Sequence, residues 1–146
     1  MERDKAGVAV LFIDLDGFKA VNDRLGHGAG DQLLTAVAQR FRRIIKASDL
    51  LVRFAGDEFV VLCQNVQDQQ VPLRVADRIR AVLAEAIQLD DGTARVDASI
   101  GVALAHPGEE PETLVRRADL AMYEAKKRGK GHCVLSAQPM AAQTDA

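Results

Sequence analysis

Apolar residues along the chain follow two rhythms, and the switches between them set the order of elements. Residues 8–13, VAVLFI, are a continuous apolar run of strand length. With no polar residue alternating, the run predicts a strand that is central in its sheet or covered on both faces. A short helical turn follows over 18–25, FKAVNDRL, and then a glycine-rich stretch at 26–30, GHGAG, reads as a loop with His27 as an ordinary loop residue. From Asp31 the apolar positions Leu34, Val37, Phe41 and Ile44 or Ile45 recur at helical spacing, which predicts an amphipathic helix to about residue 46. Two short apolar runs, 50–54 and 59–63, flank Ala-Gly-Asp, the chemistry of a hairpin turn. Residues 71–87 return to the helical period through Val75, Ile79, Val82 and Leu83, and Asp90-Asp91-Gly92 then turns the chain into a strand over 94–104, ARVDASIGVAL. A last helix is expected over about 111–128, with Pro111 in its first turn and Gly129 as its C-cap. HCVL, 132–135, closes the series as a short strand.

This order is βαββαβ followed by one more helix and strand: an α+β domain on the ferredoxin-like, palm-type plan, with a mainly antiparallel sheet and flanking helices. Residues 1–135 form the expected domain, and the small, polar stretch 136–146, SAQPMAAQTDA, is expected to be a disordered tail or linker. The topology has a chemical consequence. The hairpin tip falls beside the C-terminal end of the first strand, so Asp14 and Asp16 meet Asp57 and Glu58, which are distant in sequence. A turn needs only Gly56 and one polar neighbour; the second adjacent acid is left over. Carboxylates crowded at one sheet end repel one another unless a cation sits among them, and hard oxygen ligands suit Mg²⁺.

At 146 residues the chain is one domain that can build a core without staples. Cys63 and Cys133 lie far apart in apolar runs and belong to no paired Cys/His spacing, so both are read as core residues in a reducing compartment. The longest apolar run is too short to span a bilayer, and the start, MERDKAG, has no apolar region of a signal peptide, so a soluble, cytoplasmic domain without membrane contact is expected. With 19 basic against 21 acidic residues and 4% aromatics, neither a basic field nor a stacking platform for nucleic acid is present. An RNA-binding domain of the same βαββαβ plan is set aside because its run of Gly and aromatics is also missing.

IDLDGFKAVNDRLGHGAGD at 13–31, RFAGDEF at 53–59, SIGVAL at 99–104 and RRADLAMYEAKKRGKG at 116–131 together resemble the GGDEF domain of diguanylate cyclases, over most of the chain. The resemblance implies condensation of two GTP molecules into cyclic di-GMP with release of pyrophosphate, dependent on Mg²⁺ (or Mn²⁺) and carried out across a homodimer. On matching positions it implies Asp14, Asp57 and the backbone carbonyl of Leu15 as metal ligands, with Glu58 holding a second metal or helping to deprotonate the attacking 3′-hydroxyl; Asp14, Asp57 and Glu58 are the catalytic set. Asp16 takes a supporting place behind them. Gly17 and Phe18 match the turn whose N–H groups approach the phosphates, and Gly17 has no Cβ to obstruct them. Asn22 and Asp31 match the guanine-reading pair, which selects GTP because adenine would leave it unpaired. Asp31 is placed to N-cap the following helix as well. Lys126 and Lys130 match phosphate-binding positions, the second usually Arg in the family.

Three departures stand beside the match. Ala55 replaces the first glycine of the signature, at a cost of about 1 kcal/mol if that residue needs φ > 0. Lys46 stands where the product-inhibition motif Arg-x-x-Asp has its Arg, leaving Asp49 and Arg78 as the remaining members of a degraded site. The family's upstream segment, D-x-L-T-G-L-x-N-R, does not precede Met1, so the domain is expected to be N-terminally shortened. The resemblance therefore admits an active cyclase or a degenerate, non-catalytic module that binds GTP and regulates a fused sensor or phosphodiesterase domain.

Overall fold

The computed structural model describes residues 7–137. In chain order its elements are β1 (Gly7–Asp16), α1 (Phe18–Leu25), α2 (His27–Ile44), β2 (Leu50–Ala55), β3 (Glu58–Val66), α3 (Gln70–Val82), β4 (Ile87–Leu89), β5 (Gly92–Ala94), β6 (Asp97–Leu104), α4 (Pro111–Lys127) and β7 (Cys133–Leu135). The main sheet has the order β2-β3-β1-β6-β7. β1 runs antiparallel to both β3 and β6, and β7 joins β6 in parallel. This is the split plan expected from the apolar rhythm, with β7 added at one edge.

β1 lacks alternation because both of its faces are covered. Ala9, Leu11, Ile13 and Leu15 enter the larger core, shared with Val21 of α1, Leu33, Val37 and Phe41 of α2 and Ile79 of α3. Val10 and Phe12 enter a smaller core under α4, with Ala103, Leu114, Ala118 and Met122. Each of the larger of these side chains, Val, Leu, Ile, Phe or Met, contributes about 1.5–3 kcal/mol on burial, so the strand that carries the first acids is firmly anchored. α4 lies tight on β6: a Cβ at Gly101 would overlap the Ala118 carbonyl oxygen and the Met122 nitrogen. No described helix is long and apolar enough to cross a membrane.

Four boundaries differ from expectation. GHGAG is not a loop, because α2 begins at His27 with Gly26 (φ +95°) as its N-cap, and Asp31 therefore sits inside the helix and does not cap it. Glycine's low helix propensity hid this start; Gly30 is tolerated there because the neighbouring helix comes so close that a Cβ would overlap Asn22 Oδ1. α3 ends at Val82, not at residue 87, where the Arg40 guanidinium donates to the carbonyls of Val82 (2.7 Å), Glu85 (2.8 Å) and Ala86 (3.1 Å). Ile87 and Ala94 instead belong to the separate hairpin β4–β5, so the long strand starts at Asp97. The C-cap of α4 is Arg128, and Gly129 follows it at φ +116°. Of the expected tail, 138–146 lies outside the described residues, while the Ser136 N–H donates to the Val102 carbonyl at 2.6 Å.

Candidate active site

Register assembles the site. Asp14, at the end of β1, pairs with Glu58 on one side and Ser99 on the other. The Leu15 N–H donates to the Asp57 carbonyl at 3.1 Å, which ties the hairpin tip to the strand end. The turn takes its left-handed residue at Gly56 (φ +45°), and Arg53 Nε closes it by donating to the Gly56 carbonyl at 3.1 Å. Asp57 is thus in the turn and Glu58 opens β3, so two adjacent acids stand beside Asp14 without being part of the core.

Their electrostatics show unbalanced negative charge. Burial first, and then the charge of Asp57, push the Asp14 carboxyl up to about 6, against the pull of Lys126. Glu58 is raised as well, by burial and then by Asp119 and Asp57. Lys126 Nζ lies 3.3 Å from Asp14 Oδ2 and 3.1 Å from Asp16 Oδ1. Burial works against the Lys126 charge, but the bond to Asp16 and the charge of Asp14 outweigh it and hold the ammonium above the usual lysine range. Asp14 Oδ1 is buried and has no hydrogen-bond partner.

The residues fit a hard divalent cation. Oxygen donors only, raised carboxyls and an unpartnered buried carboxylate oxygen are what a cation would correct. Among the described residues, no group of three or more His, Cys, Asp or Glu side chains is placed to hold a metal ion. A cation at Asp14 and Asp57 would therefore complete its shell with backbone carbonyl, water or phosphate oxygens, the pattern Mg²⁺ favours.

Beside this end, Gly17 (φ +95°) caps α1 without a side-chain hydrogen bond, and Phe18 is the first helical residue. Asn22, farther along α1, has its Oδ1 buried without a partner and abuts Gly30. Asp31 follows Gly30 and is exposed, one residue along the chain from the point where Asn22 abuts α2. Lys130 is exposed and adopts φ +64°, a left-handed conformation unusual for a lysine.

The sequence model of the family described as "Diguanylate cyclase, GGDEF domain" matches residues 1–132. The chain belongs to the GGDEF family. Among curated relatives, Pseudomonas aeruginosa diguanylate cyclase TpbB is 45% identical over 126 residues, covering 85% of this chain and 29% of TpbB. Cyclic di-GMP phosphodiesterase NbdA of the same species is 43% identical over 127 residues, covering 86% of this chain and 16% of NbdA. The chain thus spans less than a third of the length of either. The crystal structure of the GGDEF domain of TpbB superposes with a TM-score of 0.88 at 42% identity, covering 94% of this chain and 86% of that one.

One expectation about the GGDEF signature changes. Ala55 is not among the residues with positive φ, and Gly56 carries the left-handed turn, so the conditional cost of replacing the first glycine does not arise. In the degraded product-inhibition patch, Lys46 and Arg78 are exposed, and Asp49 Oδ1 already accepts from the Gln64 N–H at 3.0 Å. No hydrogen bond or ion pair among the described residues joins the three side chains. Sequence reasoning gave no role to Ser99, which is fully buried beside Asp16. The signal was a single hydroxyl in a strand whose neighbours, Ala98, Ile100 and Val102, are all apolar and buried.

Proposed function

We propose that this chain is a catalytic diguanylate cyclase domain that condenses two GTP into cyclic di-GMP, releasing pyrophosphate, with one GTP on each of two facing copies. The observation that carries this reading is the unpartnered Asp14 oxygen set among Asp57, Glu58 and Lys126. In this reading Asp14, Asp57 and the Leu15 carbonyl hold Mg²⁺ or Mn²⁺, with Glu58 at a second ion or beside the attacking 3′-hydroxyl. The cation supplies polarisation of the phosphoryl oxygens and offsets charge there. Lys126 and Lys130 hold phosphate oxygens, and the N–H groups after Gly17 approach them from the start of α1. Asn22 and Asp31 accept and donate along the guanine edge, so ATP would leave this pair without matching partners, Asn22 with a buried Oδ1.

A second reading has one observation in its favour: NbdA, which this chain matches over a small part of its length, is named a phosphodiesterase. On that reading the domain binds GTP and regulates a fused sensor or phosphodiesterase domain without turnover. Incubation with GTP and Mg²⁺, read for cyclic di-GMP and pyrophosphate, separates the two. Product formation from GTP and none from ATP is the expected result; tight GTP binding without product at any protein concentration would leave the regulatory reading standing.

A further inference from the structure

Asp14 and Asp16 lie two residues apart at the end of one strand, yet their carboxylates are in opposite condition. Asp14 has an oxygen with no partner. Both oxygens of Asp16 are taken: Oδ1 accepts from Lys126 Nζ at 3.1 Å, Oδ2 accepts from the Gly131 N–H at 2.8 Å, and Ser99 Oγ lies 3.0 and 2.8 Å from the two. Asp16 is 8% exposed and Ser99 0%. A buried charge with this many donors is held in one orientation.

The loop that supplies Gly131 needs such a fixed point. Gly129, Lys130 and Gly131 have φ values of +116°, +64° and +61°. Lys130, as a non-glycine, gives up about 1 kcal/mol to sit there, and the bond from Gly131 to Asp16 fastens the adjoining peptide to β1. On the other side of Asp16, one ammonium serves two carboxylates. If a cation and a triphosphate occupy Asp14, Lys126 must turn from Asp14 towards the phosphate, and Asp16 is the partner that remains.

We infer that Asp16 and Ser99 are positioning residues for the triphosphate: Ser99 Oγ and the Gly131 N–H fix the Asp16 carboxylate, which holds Lys126 and the Lys130 loop in place while Asp14 is released to the cation. This rests on the cyclase reading and deepens it by dividing the two aspartates into an exchangeable and a permanent partner of Lys126. The test is calorimetry on the whole chain. Ser99→Ala lowers affinity for GTP by about tenfold, the scale of a hydrogen bond to a charged group, and leaves affinity for guanosine unchanged. In a Lys126→Ala background the same substitution lowers GTP affinity by less than about twofold, because interacting residues are not additive. Equal losses in both backgrounds, or equal losses for guanosine and GTP, would overturn the inference. Asp16→Asn, of the same shape, replaces Ser99→Ala if that variant does not fold, with the same pattern expected. Urea unfolding without nucleotide reads the clamp separately: the midpoint shifts of Ser99→Ala and Lys126→Ala are expected to be less than additive, and additive shifts count against it. Failure of the unmodified chain to bind GTP would sink the cyclase reading, and the urea result would still decide whether the clamp exists.

Discussion

The β1–β6 pair has a charged cluster at each end, and the two are built on opposite terms. Where Asp16 faces Asp97, burial and the charge of Asp57 raise the Asp14 carboxyl, and burial with the charges of Asp119 and Asp57 raises that of Glu58. Where Ala9 faces Leu104, Glu109 accepts from Arg117 at 2.8 and 2.9 Å and from the His106 N–H at 3.0 Å. Arg117 also donates to the Leu104 carbonyl and to Ser136 Oγ. That hydrogen bond to Arg117, first among several causes, draws the Glu109 carboxyl down to about 2. His106 Nε2 is buried without a partner at this end too, so an orphaned atom alone does not mark a site. What separates the ends is the sum: one cluster is complete within the chain, and the other carries negative charge that only something added can balance.

The sharpest way to break this comparison is to remove one acid from the incomplete end. Asp57→Ala is expected to lower cyclic di-GMP formation at least a thousandfold, about 4 kcal/mol in the barrier, the scale of a lost metal ligand or charge-stabilising group. The melting temperature should hold or rise slightly, because the substitution relieves Asp14 of a like charge. Steady-state rates and a thermal melt decide it; retained turnover would take Asp57 out of the site.

The complete end should answer in stability alone. Arg117→Met leaves Glu109 without its partner and is expected to cost about 3 kcal/mol in urea unfolding, with GTP binding unchanged. Glu109 and Asp14 also respond to pH with opposite sign. Glu109 is depressed when folded, from 4.5 to about 2, so its contribution is full above about 4.5 and is lost as pH falls towards 2. After solvent screening that contribution is on the order of 2 kcal/mol. Asp14 is raised when folded, from 3.8 to about 6, so the chain gains stability as pH falls from about 6 towards 3.8. Without added divalent cation, urea midpoints should therefore peak on the acid side of neutral. Arg117→Met should weaken the lower limb, of which Asp97, held low by its hydrogen bond to Arg80, keeps a share, and leave the upper one; a profile that rises steadily to pH 8 would contradict the assignment at Asp14.

What the sequence disclosed follows the same division. The order of elements was legible because covering β1 on both faces and α2, α3 and α4 on one leaves a periodic trace. The convergence of Asp14 with Asp57 and Glu58 was legible because topology alone places the hairpin tip. The helix start at His27 was not, because Gly30, one of the glycines that argue against a helix, is there for the approach of Asn22, a contact between two helices that no local window contains. The end of α3 was hidden in the same way, since the carbonyls of Val82 and of Glu85 just beyond it are closed by Arg40 from another helix. Ser99 escaped because one hydroxyl in a strand has no meaning until Asp16 is seen beside it.

The mildest test concerns the patch at Lys46, Asp49 and Arg78, which resembles neither end. Lys46 and Arg78 are exposed and Asp49 is half-buried, no hydrogen bond among the described residues joins their side chains, and one Asp49 oxygen already accepts from the Gln64 N–H. A guanidinium would grip a guanine edge or a phosphate with a planar, multidentate fork, whereas Lys46 offers a flexible point donor. The loss is on the order of 1–3 kcal/mol, the range of a hydrogen bond to a charged group, and about 1.4 kcal/mol is tenfold in affinity. Cyclic di-GMP is therefore expected to bind this patch weakly, and Lys46→Arg should tighten it at least several-fold by calorimetry, with the melting temperature unchanged because residue 46 lies outside both cores. Asp49→Asn, which keeps an acceptor for Gln64, serves as the control. Tight binding by the unmodified chain that disappears in Asp49→Asn would show that the lysine serves as well as an arginine, and that an exposed, unassembled patch can be a working site after all.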